Sequence, residues 1–183
     1  MHNKPLANKP AAAFTLVELL TVMAVIALLA GLLLPALGAA RARSRAATCM
    51  GQVRQIGLAI QNYVAGTQDY LPVCTRLGPE PKYGIPSLPQ ALAMQLDTAK
   101  AFQCPADQGA QAYFPQYGTS YEWNSFLSGC QVDRASWTIL GLEITASPLL
   151  GDADGFHPRS SRNYLYIDGH VSSSLDILIK NAP

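Results

Sequence analysis

Between Lys9 and Arg41 apolar residues follow one another almost without a break, and Glu18 is the single charged residue of the stretch. A bilayer core about 30 Å thick is crossed by roughly 20 apolar helical residues. Residues 14–38 therefore predict a transmembrane helix. A carboxylate inside such a helix costs on the order of 2.5–3.5 kcal/mol by insertion scales, so it needs a partner. It could instead snorkel to the interface of a plain signal anchor. From Ala46 onward the pattern changes. Cys49, Met50, Val53, Ile56, Ile60 and Val64 recur at steps of three and four, the spacing of an amphipathic helix lying on a core. Residues 39–66 are thus an extramembrane continuation of the same helix, with Arg43, Arg45, Arg54 and Gln61 facing water or neighbouring copies. Pro35 lacks the N–H that would bond to the Gly31 carbonyl, so a kink or local melting is expected there. A proline simply tolerated within a membrane helix is the alternative.

The helical pattern stops at Tyr70-Leu71-Pro72, and residues 67–183 are expected to form a globular unit. Residues 71–89 are rich in Pro and Gly and predict an irregular excursion. A short helix is expected over 89–96, and strands over 137–143, 149–152, 163–167 and 170–173. The last two flank Asp168-Gly169, which predicts a hairpin with a type I′ turn. A helix followed by antiparallel strands gives an α+β class, with a small antiparallel sheet packed on the helix's apolar stripe.

The leader, residues 1–13, carries Lys4 and Lys9 and ends in three alanines. The string Ala13-Phe14-Thr15-Leu16-Val17-Glu18 resembles the processing site of type IV pilins and type II secretion pseudopilins. The resemblance implies that a membrane prepilin peptidase cuts between Ala13 and Phe14 on the cytoplasmic side and methylates the new amine. It also implies that Glu18 pairs with a neighbouring subunit's N-terminus during assembly, and that Pro35 marks where the helix loosens in a filament. Elementary electrostatics agrees: a Phe14 amine and a Glu18 carboxylate one turn away cannot both be satisfied by lipid, and pairing between subunits relieves both. Ala13 departs from the family's usual Gly; alanine is small enough that cutting is expected, at a lower rate. A secretory signal peptide fits less well, because its apolar core runs about 7–15 residues and ends at a small-residue cut.

A second resemblance lies near the C-terminus. Many bacterial pilin-like proteins carry His, nine residues, then Asp-Gly, often with His-Val after it. Here His157 and Asp168-Gly169-His170-Val171 are separated by ten residues. The extra residue is expected in the loop 158–162, where it costs little. The segments 49–57, 102–107 and 119–124 also look like this group.

Composition changes the picture in two ways. Without Lys4 and Lys9 the 13 basic residues fall to 11, against 12 acidic ones. A near-neutral domain makes no case for nucleic acid, and Tyr121, Trp123, Phe126, Tyr164 and Tyr166 have only Arg159 and Arg162 nearby, too few for a stacking platform. Arg41, Arg43 and Arg45 after the span would, by the positive-inside rule alone, argue weakly for the opposite orientation. The resemblance instead implies a single-pass protein of the bacterial inner membrane, its N-terminus cytoplasmic and its C-terminal domain periplasmic or extracellular. Four cysteines fit an oxidising compartment. Of three possible pairings, Cys49–Cys104 with Cys74–Cys130 is preferred; one bridge with two buried thiols is the alternative.

Asp152, Asp154, His157, Asp168 and His170 gather near one hairpin. Three roles stay open for them: turn-forming and hydrogen-bonding groups, with Asp168 at a positive-φ position; a calcium site on Asp152, Asp154 and Asp168, although an EF-hand's closing Glu is missing; or a transition metal on histidine. His157 with Asp152 or Asp168 could form a general-base pair, but no nucleophile or phosphate loop accompanies it, and an enzyme is not expected. The function expected is a pseudopilin-like structural subunit of a type II secretion system. An extended type IV pilus subunit for adhesion, motility or DNA uptake, or a membrane-tethered binding domain that never polymerises, are the alternatives. The expected partners are the prepilin peptidase, other subunits, an inner-membrane assembly platform and membrane lipid.

Overall fold

A computed structural model describes residues 15–78, 84–96, 98–134, 137–139, 142–176 and 178–181. The leader and the Ala13–Phe14 bond lie outside them. The chain divides into two units, residues 1–40 and 41–183. Helix α1, Leu16–Gly66, contributes to both and remains helical through Pro35. It is long and apolar enough to cross a membrane, and every described residue of the first unit is exposed. No local melting is seen at Pro35.

The second unit is built on the stripe read from the sequence. Cys49, Val53 and Ile56 are completely buried and Ile60 nearly so, while Arg43, Arg45, Arg54 and Gln61 are exposed. Met50 and Val64 lie at the half-buried margin of that stripe. The core they enter also holds Phe102, Tyr121, Trp123, Leu127, Leu150 and Leu165. Gly57 lets the sheet come close: a Cβ there would stand 2.9 Å from Cδ1 of Leu165.

Two antiparallel sheets follow. One has the order β1 (Tyr121–Trp123), β4 (Leu150–Asp152), β5 (Tyr164–Leu165), β6 (Val171–Ser172). The other has the order β2 (Trp137–Ile139), β3 (Leu142–Ala146), β7 (Leu178–Asn181). This is the expected α+β arrangement, corrected in its details. The strand expected over 137–143 is two strands, paired Ile139 to Leu142. The helix expected over 89–96 is a single turn, α2, Leu88–Ala91. A second single turn, α3, spans Tyr113–Tyr117 and closes on Gly118.

The β5–β6 hairpin also differs from a type I′ turn. Tyr166 N–H donates to His170 O, and Gly169 N–H donates back to Tyr166 O. Leu165 pairs with Val171, so three residues, 167–169, form the loop. Gly169 holds φ +86°, and Asp168 is not among the positive-φ residues. A three-residue loop needs its left-handed residue at the third place, where glycine is favoured. The carboxylate of Asp168 instead accepts from His170 N (3.0 Å) and meets its Nδ1 (2.5 Å).

The Cys49–Cys104 bridge is formed, with Cα atoms 5.1 Å apart. It closes a sequence separation of 55 residues, which in the chain-entropy limit stabilises the fold by roughly 4 kcal/mol. The second bridge is not formed: Cys74 and Cys130 are free thiols. The reason is register. The bridge Tyr70–Gln131 and the bond from Leu71 N to Cys130 O place Cys130 beside Leu71, while the Cys74 carbonyl accepts from Ser128 Oγ. Along an extended chain that offset of about three residues amounts to roughly 10 Å, beyond the reach of a disulfide.

Candidate functional site

The first site is the start of α1. Thr15 is the residue before the helix, and Glu18 lies in its first turn. Glu18 Oε2 accepts from Thr15 N (2.9 Å) and from Thr15 Oγ1 (2.7 Å), and Thr15 Oγ1 accepts from Glu18 N (3.2 Å). This reciprocal pattern is a capping box. The carboxylate that opens the apolar helix is therefore held within its own chain, where it satisfies the Thr15 amide while the Thr15 hydroxyl satisfies that of Glu18. The sequence reading missed Thr15; its signal was the Thr-x-x-Glu spacing.

The second site is built around β4. Asp152 ends that strand and pairs with Tyr121 of β1. On the other side Asp152 N donates to the Asn163 carbonyl. The loop between them turns back and inserts His157. His157 Nε2 lies 2.9 Å from Asp152 Oδ2 and 2.9 Å from Asn163 Nδ2, and Asn163 N donates to the same carboxylate oxygen at 2.5 Å. The two side chains of the His157–Asp152 pair are 2% and 0% exposed. When Nε2 carries the ring proton it donates to Asp152 and Nδ1 is an acceptor; the Asn163 amide nitrogen, itself a donor, can bond to Nε2 only in the other tautomer. Among the described residues, His157 Nδ1 and Asp152 Oδ1 have no hydrogen-bond partner.

Beside this pair stands the disulfide. A ring nitrogen of His157 lies within 4.8 Å of both the Cys49 and the Cys104 sulfur. The far side of Cys104 is tied down as well. Its N–H donates to Ser120 Oγ (3.0 Å), and Ser120 Oγ donates to Asp107 Oδ2 (2.7 Å). The Asp107 carboxylate then accepts the N–H groups of Tyr113 and Phe114 at the start of α3. The segments 102–107 and 119–124, singled out by resemblance, are thus two halves of one clasp around Cys104. Asn124 adds to it by donating to Pro148 O and Ser147 Oγ.

Asp152 also forms part of the wall of an open groove of about 270 Å³, with Arg76, Glu122, Trp123, Arg162 and Tyr164. Arg76 is paired with Glu122 there, which pushes the guanidinium pKa further up. The five His and Asp residues do not converge. Asp152 belongs to His157; Asp154 Oδ1 meets Arg162 (3.2 Å); Asp168 belongs to His170, whose ring stacks on Tyr166 at 4.3 Å. The His-to-Asp-Gly spacing therefore joins two separate devices, a buried histidine and a surface turn. Bonds from the His170 N–H and ring hold the Asp168 carboxyl below the usual range. The paired base foreseen as His157–Asp152 exists, but it is sealed in the interior. Asn163, its third member, gave no signal in the sequence.

No curated protein and no solved structure matches the chain. At the N-terminus the chain is similar to type IV pilin-like prepilins, since residues 8–34 match the family described as the prokaryotic N-terminal methylation motif.

Proposed function

We propose that this chain is a pilin-like structural subunit, cut between Ala13 and Phe14 by a prepilin peptidase, methylated, and assembled through α1 into a short pseudopilus of the type II secretion kind. The observation that carries this reading is the methylation motif over residues 8–34, with Glu18 inside it as the one charge between Lys9 and Arg41. Cutting creates a cationic amine at Phe14. Among the described residues, the Glu18 carboxylate is engaged by Thr15, a neutral partner. Neutral donors make weaker bonds to a carboxylate than a cation does. An incoming subunit's amine therefore competes well for Glu18, and the exchange sets the stagger between subunits. The span is placed in the inner membrane, and the domain of residues 41–183 outside the cytoplasm, where it faces secretion partners or cargo. Assembly would also involve an inner-membrane platform and the surrounding lipid.

The test is the intact mass and N-terminal sequence of the protein extracted from native membranes. The expected product starts at N-methylated Phe14. An intact leader would refute processing and leave a tethered monomer. Loss of secretion rather than of surface filaments, in a strain lacking the subunit, is the outcome expected of a pseudopilin; the reverse would assign it to an extended pilus.

A further inference from the structure

Three groups that ligate metals meet in the interior of the second unit, and the bridge uses only two of them. We propose that, in the thiol form of the chain, Cys49, Cys104 and His157 bind a thiophilic divalent cation of the zinc type in the place of the bridge. Three observations support the site. The ligand atoms already lie within 4.8 Å of one another, and those around a tetrahedral zinc stand roughly 3.3–3.8 Å apart, given bonds of about 2.0–2.3 Å. With Cα atoms 5.1 Å apart, both sulfurs can reach one ion by side-chain rotation.

His157 is prepared for the task. A ligating imidazole is commonly oriented by a carboxylate on its other nitrogen, and Asp152 Oδ2 stands 2.9 Å from Nε2. Nδ1 is buried and without a partner among the described residues. A buried polar atom left unpaired costs free energy, so something that binds it stabilises the fold. Two thiolates and an imidazole suit zinc, and leave a fourth position open.

Ion binding balances without a redox partner. A newly made chain carries thiols; the ion binds both sulfurs, and two protons leave as the thiolates form. Bridge and ion are then alternative fastenings of α1 to the loop at Cys104: the ion holds the two thiolates as they are, whereas the bridge forms when a disulfide-bearing oxidant takes their electron pair, its own S–S bond breaking to two thiols, and the ion is released. The proposal is independent of filament assembly.

The experiment uses the full chain in detergent, reduced with a phosphine without oxygen and titrated with cobalt(II), then with zinc(II). The expected result is a thiolate-to-cobalt charge-transfer band that saturates at one ion per chain and is displaced by zinc. It should be absent from the bridged protein and from Cys49→Ser, with at least tenfold weaker binding in His157→Gln. No band in the reduced wild type would overturn the proposal. So would a band surviving in Cys49→Ser, which would belong to Cys74 and Cys130, or unchanged affinity in a folded His157→Gln. X-ray absorption of the zinc-loaded wild type reads the ligands without a variant. It should show sulfur at about 2.3 Å and imidazole nitrogen at about 2.0–2.1 Å, and a spectrum lacking either shell rejects the site.

Discussion

Gly155 and Gly51 show how differently two glycines can be constrained. A Cβ on Gly155 would stand 2.6 Å from the Ser160 carbonyl oxygen and 3.0 Å from that residue's Cα. Those are backbone atoms of the loop that carries His157, and they cannot step aside as a side-chain tip does. Gly155→Ala should cost about 1–3 kcal/mol as an overpacking change, lowering the melting temperature by several degrees in a circular-dichroism scan. Gly51 lies in α1 with nothing within 4 Å of its Cβ position. Gly51→Ala should be neutral or stabilise by about 0.5–1 kcal/mol, since glycine is a poor helix residue. Equal effects of the two substitutions would contradict this packing. The free thiols are unequal too. Burial raises the Cys74 pKa to about 12, so it holds almost no thiolate near pH 8, and the thiolate is the nucleophile. Cys130 is half-buried. Alkylation of the native protein, followed by peptide mass mapping, should label Cys130 and spare Cys74 until denaturant is added.

At the scale of elements, what could be read from the sequence was what depends on near neighbours. The α1 stripe is written at steps of three and four along one segment, and Cys49, Val53, Ile56 and Ile60 all entered the core. Because the stripe packs against Tyr121, Trp123, Leu150 and Leu165, Ile56→Ala should cost about 2–5 kcal/mol. Urea melts that leave the midpoint unmoved would show that the helix does not carry the core. Strands of two to five residues are too short to show a clear period, and β1 and β7 find their partners far along the chain. Neither was anticipated. The Cys74–Cys130 error has the same origin: nothing in the spacing of the cysteines reports the register of Leu71 against Cys130. The site was legible in part. Asp152 beside His157 was one of two pairings open to that histidine. Asn163 and the nearness of the bridge depend on how β4, β5 and α1 meet, which no local pattern encodes.

At the scale of the whole molecule, α1 serves two units with different demands, so changes at its start should separate assembly from folding. Among the described residues, the buried core lies within 41–183, whereas Glu18 touches Thr15, Thr21 and its own helical turn. Substitution of Glu18 should therefore leave the thermal transition of the domain in place while filament assembly fails. Two variants tell why. Glu18→Gln keeps an amide oxygen that can accept from Thr15 N, so the cap largely survives and only the charge goes. Glu18→Ala removes both, and loss of such a cap costs on the order of 1 kcal/mol. If attraction to a neighbour's amine drives assembly, both variants should fail alike in cross-linking of membrane-embedded subunits. If capping of α1 is what matters, Glu18→Gln should assemble and Thr15→Val should not. Assembly by all three variants would leave α1 as an anchor alone.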